Sequence, residues 1–97
     1  MTAYALFIRE ETIDQSELDL YASLVPASLN THSPKILAAY GEQEVVEGPP
    51  CEGVVLVEFP TLELASAWYH SPEYQNAVQH RLKGARYRGI LLAGSDN

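Results

Sequence analysis

Ninety-seven residues, 46% of them hydrophobic and 20% charged, suit one water-soluble globular domain near the lower size limit for a chain without covalent staples. Thirteen acids against six bases leave a net charge of −7, which argues against nucleic acid as a partner, because phosphate binding needs a basic footprint. No run of about 18 apolar residues is present to span a membrane, and Met1–Arg9 lacks the basic start and long apolar core of a secretory signal, so the expected location is cytoplasmic.

The first strand is expected over residues 3–9, with Ala5, Phe7 and Arg9 pointing one way and Tyr4, Leu6 and Ile8 the other. Asp14 then offers a helix N-cap, with Glu17 three residues on as a carboxylate variant of the capping box. Leu18, Tyr21, Ala22, Val25 and Leu29 recur at helical spacing and give one buried stripe. Pro26 lies inside that pattern and predicts a kink or break near Leu24-Val25. Asn30 to Pro34 reads as a turn.

A second strand is expected from Lys35 to Tyr40, with a bend at Gly41 and a continuation over Gln43–Glu47. Gly48 to Gly53 is a hairpin-like connection. It carries Cys51, whose solitude rules out an intrachain disulfide and whose surroundings offer no local base to activate a thiol. The third strand covers Val54–Phe59, and Thr61 caps a helix reaching His70. Ser71 caps another, with Pro72 at its first position and Tyr74, Ala77, Val78, Arg81, Leu82 and Ala85 on one face. The last strand covers Tyr87–Ala93, and Gly94 to Asn97 are expected to fray.

This order, β-α-β-β-α-β with the second crossover split in two, predicts an α+β ferredoxin-like plait: one four-stranded antiparallel sheet with its helices on one face. The parity assumed above places Val55, Val57, Phe59, Leu6 and Ile8 under the helices, and Ala5, Phe7, Val54, Leu56, Ile90 and Leu92 on the open side. A sheet with one wet face should alternate apolar with polar, and these strands do not. Each large side chain left in water forfeits roughly 1.5–3 kcal/mol. Packing against a second copy avoids that loss, so a homodimer enclosing a shared interior is expected. Phe7, Leu56 and Leu92 are bulky enough to fill that interior.

Glu58-Phe59-Pro60-Thr61, Ala65, Trp68-Tyr69, Ser71-Pro72-Glu73-Tyr74-Gln75 and Arg81 resemble the signature of the domain-of-unknown-function family numbered 1330. Asp14 with Tyr21, Leu29 with His32, Glu47-Gly48, Arg88 and Gly94 fall at that family's spacing, so the resemblance spans essentially the whole chain. It implies the dimeric α/β-barrel superfamily, whose other branches include cofactor-free monooxygenases, lactone isomerases and haem-handling enzymes, and it implies no activity for the family itself. The first strand lacks the asparagine of the haem-degrading branch. Two further departures are Ser33-Pro34 in place of a glycine pair, and Tyr40 where that family carries arginine.

The residues that carry chemistry are few. Arg9 and Arg88 fall on the open face by the parity above, near one rim, and need an anion from Asp/Glu or from a ligand; internal pairing is the favoured expectation. Arg81, Lys83, Arg86 and Arg88 cluster within eight residues, which suits a small anion or simply balances the acids. Glu58, walled by apolar neighbours, is a candidate base, although capping the next helix or pairing with Arg81 is the plainer role. His32 is a second candidate base, or a charge favouring a helix C-terminus.

His32, His70 and His80 lack metal-ligand spacing, so no metal and no cofactor is expected. His70 and His80 are expected to face solvent. Tyr21, Trp68, Tyr69 and Tyr74 form an aromatic group that serves as core, or else lines a cleft for a small aromatic or polyketide-like molecule. The resulting expectation is a small organic ligand or anion held in or beside the dimer barrel, with acid/base or cofactor-free oxygen chemistry. The competing one is a non-catalytic, stress-associated or structural dimer.

Overall fold

The structure, a computed structural model, describes residues 1–95. Its elements are β1 (Ala3–Thr12), α1 (Gln15–Ser28), β2 (Lys35–Ala39), β3 (Gly53–Phe59), α2 (Leu62–Tyr69), α3 (Pro72–Gly84) and β4 (Ala85–Ala93). The strands form one antiparallel sheet in the order β2-β3-β1-β4, the plait expected from the sequence, with three helices. Asp96 and Asn97 lie outside the described residues. Gly94 does not fray: its N–H donates to the Thr2 carbonyl at 2.6 Å.

Each helix starts where a short polar side chain takes an orphan N–H. Asp14 accepts from the Ser16 N–H at 3.0 Å, Thr61 from Leu64 at 3.1 Å and Ser71 from Tyr74 at 3.2 Å. Bonding to Ser16 lowers the Asp14 pKa. Glu17 does not complete a capping box. Its carboxylate meets His80 Nδ1 at 2.6 Å, joining α1 to α3, while the Asp14 N–H donates to the Gly84 carbonyl at 2.9 Å. His80 is therefore half-buried and paired rather than solvent-facing.

Helix α1 runs through Pro26 to Ser28 without breaking. Near a helix end the bond that proline cannot donate is a small loss against continued packing. Buried Ser28 ties that end to α2, because its hydroxyl accepts from Trp68 Nε1 at 3.3 Å.

The register corrects the strand parity. Ala5 faces Val57 and Leu91, Phe7 faces Val55 and Gly89, and Arg9 faces Gly53 and Tyr87. Ala3, Ala5, Phe7, Val57 and Phe59 are buried against Ala65, Trp68, Tyr74 and Val78, so this set, not Leu6 and Ile8, lies under the helices. The helix-free face carries Tyr4, Leu6, Ile8, Val54, Leu56, Ile90 and Leu92. Ile90 and Leu92 are 41% and 42% exposed there. Both faces remain apolar whichever way β1 is turned, so the case for a cover survives.

Two other expectations change. Strand β2 does not continue past Ala39: Tyr40 takes φ 57° and the chain leaves the sheet. Leu82 is 62% exposed and not part of the buried face of α3.

Candidate functional site

Helix α1 stands off the β2 edge of the sheet and leaves a cleft of about 330 Å³. Its walls include Tyr21 and Val25 from α1, Ile36 and Ala39 from β2, Tyr40, Val55 from β3, Arg9 from β1 and Tyr87 from β4. A cavity of about 60 Å³ adjoins it, sharing Tyr21, Tyr40, Val55 and Tyr87, and reaches Arg81 and Trp68. A second opening, about 380 Å³, meets Arg81 from the β4 side, where Tyr69 and His70 line it. A wider, more open depression beside α2 is lined by neither arginine nor lysine.

Arg81 dominates this geometry. It is 3% exposed, yet Nε and Nη1 have no hydrogen-bond partner. Instead its guanidinium carbon lies 4.6 Å from the Tyr87 ring centroid, 4.9 Å from Phe7 and 5.9 Å from Tyr21. Aromatic faces offset part of the cost of burying a cation, but they do not satisfy its N–H groups. No carboxylate lines the small cavity.

The nearby phenols bond each other rather than the cation. Tyr21 and Tyr74 hydroxyls share a hydrogen bond of 2.8 Å, and Tyr40 and Tyr87 one of 2.5 Å. Burial pushes the Tyr21 and Tyr74 phenols above the ordinary range, in Tyr74 against the lowering pull of Arg81. Tyr40 is raised by burial and then by its bond to Tyr87. All three stay protonated at neutral pH.

Arg9, at the mouth, differs. Its guanidinium carbon sits 4.7 Å from the Tyr40 ring centroid, and its Nε is 3.1 Å from Glu52 Oε1, within ion-pair distance though not aligned for a hydrogen bond. Glu52 also accepts from Thr12 Oγ1 at 2.6 Å, the main reason its pKa is lowered, with Arg9 adding to that.

Arg9 and Arg88 do not share a face. Arg9 belongs to the cleft, whereas Arg88 pairs in register with Ile8 and is exposed on the helix-free side. Glu58 is also on that side, between Tyr4 and Lys35, and so cannot reach Arg81. His32 follows α1 at φ 61°, with Nδ1 2.8 Å from Thr31 Oγ1, and lines neither the cleft nor the small cavity. Of the aromatic group, Trp68 and Tyr74 are core, Tyr21 is cleft wall, and Tyr69 borders the second opening.

Tyr40 and Tyr87 escaped the sequence reading of the site. Gly89 was the available signal for Tyr87: a Cβ there would lie 3.1 Å from the Phe7 ring, so the Tyr87-Gly89-Leu91 side of β4 must be the one beneath the helices. Among the described residues no His/Cys/Asp/Glu cluster suits a metal ion, and no helix is long and apolar enough to cross a membrane.

The molecule is thus a ferredoxin-like plait with an aromatic cleft between helix and sheet edge and a buried arginine on the small cavity that adjoins it. Residues 2–95 match the sequence model of the domain of unknown function DUF1330, and the chain belongs to that family. In fold it is similar to a protein of unknown function from Rhodopseudomonas palustris, at 16% identity and TM-score 0.74, covering 99% of this chain and 84% of that one. It is also similar to a dimeric ferredoxin-like protein of unknown function from Thermobifida fusca, at 8% identity and TM-score 0.63, covering 97% and 92%. A dimeric ferredoxin-like protein from Bacteroides fragilis aligns at 13% identity and TM-score 0.57, covering 96% of each chain. No curated protein matches the chain.

Proposed function

We propose that this chain binds a small organic anion in the cleft between α1 and the β2 edge, with Arg81 as the anchor, and that two copies associate through the helix-free face. One observation carries the first part. Arg81, 3% exposed as a residue, keeps two buried guanidinium nitrogens, Nε and Nη1, without a hydrogen-bond partner beside a cavity lined by no carboxylate, and buried polar groups are otherwise almost always paired. A charged oxygen entering the small cavity satisfies those donors, while Val25, Ile36 and Val55 receive an apolar body in a cleft of ordinary ligand size. Tyr40, standing where the resembling family carries arginine, makes the mouth aromatic.

The dimer is supported by the uncovered apolar side chains of β1, β3 and β4 and by the dimeric fold relatives. The carboxyl and imidazole candidates Glu58 and His32 lie away from the cleft, which favours anion binding over base catalysis by either.

Calorimetric titration with benzoate tests the anchor. Binding by the native protein and its loss in Arg81→Gln, with Glu58→Gln unaffected, is the expected result; equal binding by Arg81→Gln rejects it. Light scattering tests the assembly. A stable monomer at micromolar concentration removes the dimer.

A further inference from the structure

The polar side chains around the small cavity are unusual in kind. They are Arg81, the phenols of Tyr21, Tyr40 and Tyr87, and the Trp68 indole. Arg81 and Trp68 can only donate, and the indole N–H is already given to Ser28. Each tyrosine pair spends one hydroxyl hydrogen between its members and keeps one to donate elsewhere. Phe7, Tyr21 and Tyr87 present ring faces, not oxygen atoms, to the guanidinium. No internal oxyanion therefore answers its charge.

We propose that the cleft selects weak organic acids, phenols and enols, in their ionised form, seating the single deprotonated oxygen in the 60 Å³ cavity against Arg81. This rests on Arg81 being the anion anchor and adds the chemical class and protonation state of the ligand. The hydrogen of a neutral hydroxyl finds no acceptor on Arg81 or the indole and only phenol oxygens already engaged in tyrosine–tyrosine bonds, whereas an oxyanion brings only acceptor capacity to the unpartnered guanidinium. A cavity that size admits one functional group, and the ring follows in the larger cleft. Preorganised donors around a developing oxyanion also stabilise it during reactions, so the arrangement suits enolate or phenolate chemistry on a bound substrate.

Other charged groups facing this region are accounted for. Arg9 is offset by Glu52, and Asp19 at the rim of α1 accepts from Gln15 Nε2 at 3.0 Å. Tyr74 is bonded to Tyr21. Glu17 and His80 pair with each other. His70, which caps α2 and lines the far opening with Tyr69, has its Nδ1 2.9 Å from the Ser66 carbonyl.

4-Nitrophenol, whose anion is yellow, is the probe. Its ionisation is followed by absorbance across the neutral range, free and with saturating native protein. The expected result is a midpoint at least about one pH unit lower when bound, a tenfold preference for the anion. That shift should vanish in Arg81→Gln and persist in His70→Gln. The native titration alone decides the matter should Arg81→Gln fail to fold. An unchanged or raised midpoint on bound probe overturns the inference while leaving the benzoate result, and so the anchor, standing. A shift that disappears in His70→Gln overturns it as well. If neither benzoate nor 4-nitrophenol binds, the anchor reading fails and this inference falls with it.

Discussion

Two arginines line adjoining spaces, Arg9 the cleft and Arg81 the small cavity beside it, with opposite fates. Arg9, at the mouth, is about a quarter exposed and has Glu52 beside it; Arg81, at the floor, is buried and has only aromatic faces and unsatisfied donors. A partly exposed ion pair is a common surface arrangement that contributes little. A buried cation without an anion costs stability, and such a cost persists where something else recovers it. The contrast favours Arg81 over Arg9 as the proposed anchor.

The strongest way to break the contrast is alkaline titration. If a tyrosinate neutralised Arg81 internally, the fold would not suffer when tyrosine ionises. Folded Tyr21 and Tyr74 instead have raised pKa values, chiefly through burial. Their contribution is complete below the unfolded tyrosine pKa of about 10 and is lost as pH rises beyond it, by about 1.4 kcal/mol per tyrosine per pH unit. Half-exposed Tyr40 adds less. Denaturant melts at successive pH values should show this steep decline; a flat profile means an internal phenolate answers Arg81.

Arg81→Met is next. It should weaken benzoate about 100-fold, roughly 2.7 kcal/mol, while thermal unfolding stays within about 1 kcal/mol of native, because the lost cation–aromatic contacts are offset by removing unsatisfied donors. Destabilisation beyond about 3 kcal/mol would mean that Arg81 is there for the fold.

Gly53→Ala probes the mouth through packing. Its Cβ would sit 2.5 Å from Tyr40 Cδ1, so the ring must move, with an expected loss of about 1–3 kcal/mol and altered ligand entry visible as a slower association rate. Arg9→Met is expected to do least, changing benzoate affinity less than about threefold; a larger loss would move the anchor to the mouth.

The helix caps, the four strands and the plait were legible from residue 3 onward because local chemistry dictates them. Asp14, Thr61 and Ser71 each take an N–H of the turn that follows, and Pro72 fits the first helical position. The apolar character of both sheet faces was equally plain, and with it the need for a cover on the open one. Which residues of β1 went where was not. Ala3, Ala5 and Phe7 on one side and Tyr4, Leu6 and Ile8 on the other are both apolar, so alternation carries no sign. That ambiguity misplaced Arg9 beside Arg88.

Likewise Gln43–Glu47 has the composition of a strand, but the chain turns away at Tyr40 and leaves it no partner, since β2 is the sheet edge. What the residue string determined alone was the set of elements and their order, because caps, turns and period are read within a few residues. Only the tertiary structure decided that a guanidinium from α3, phenols from α1 and β4, and Tyr40 just beyond β2 surround one cavity. That meeting depends on strand register and on the long-range packing of helix against sheet, which no short window of sequence encodes.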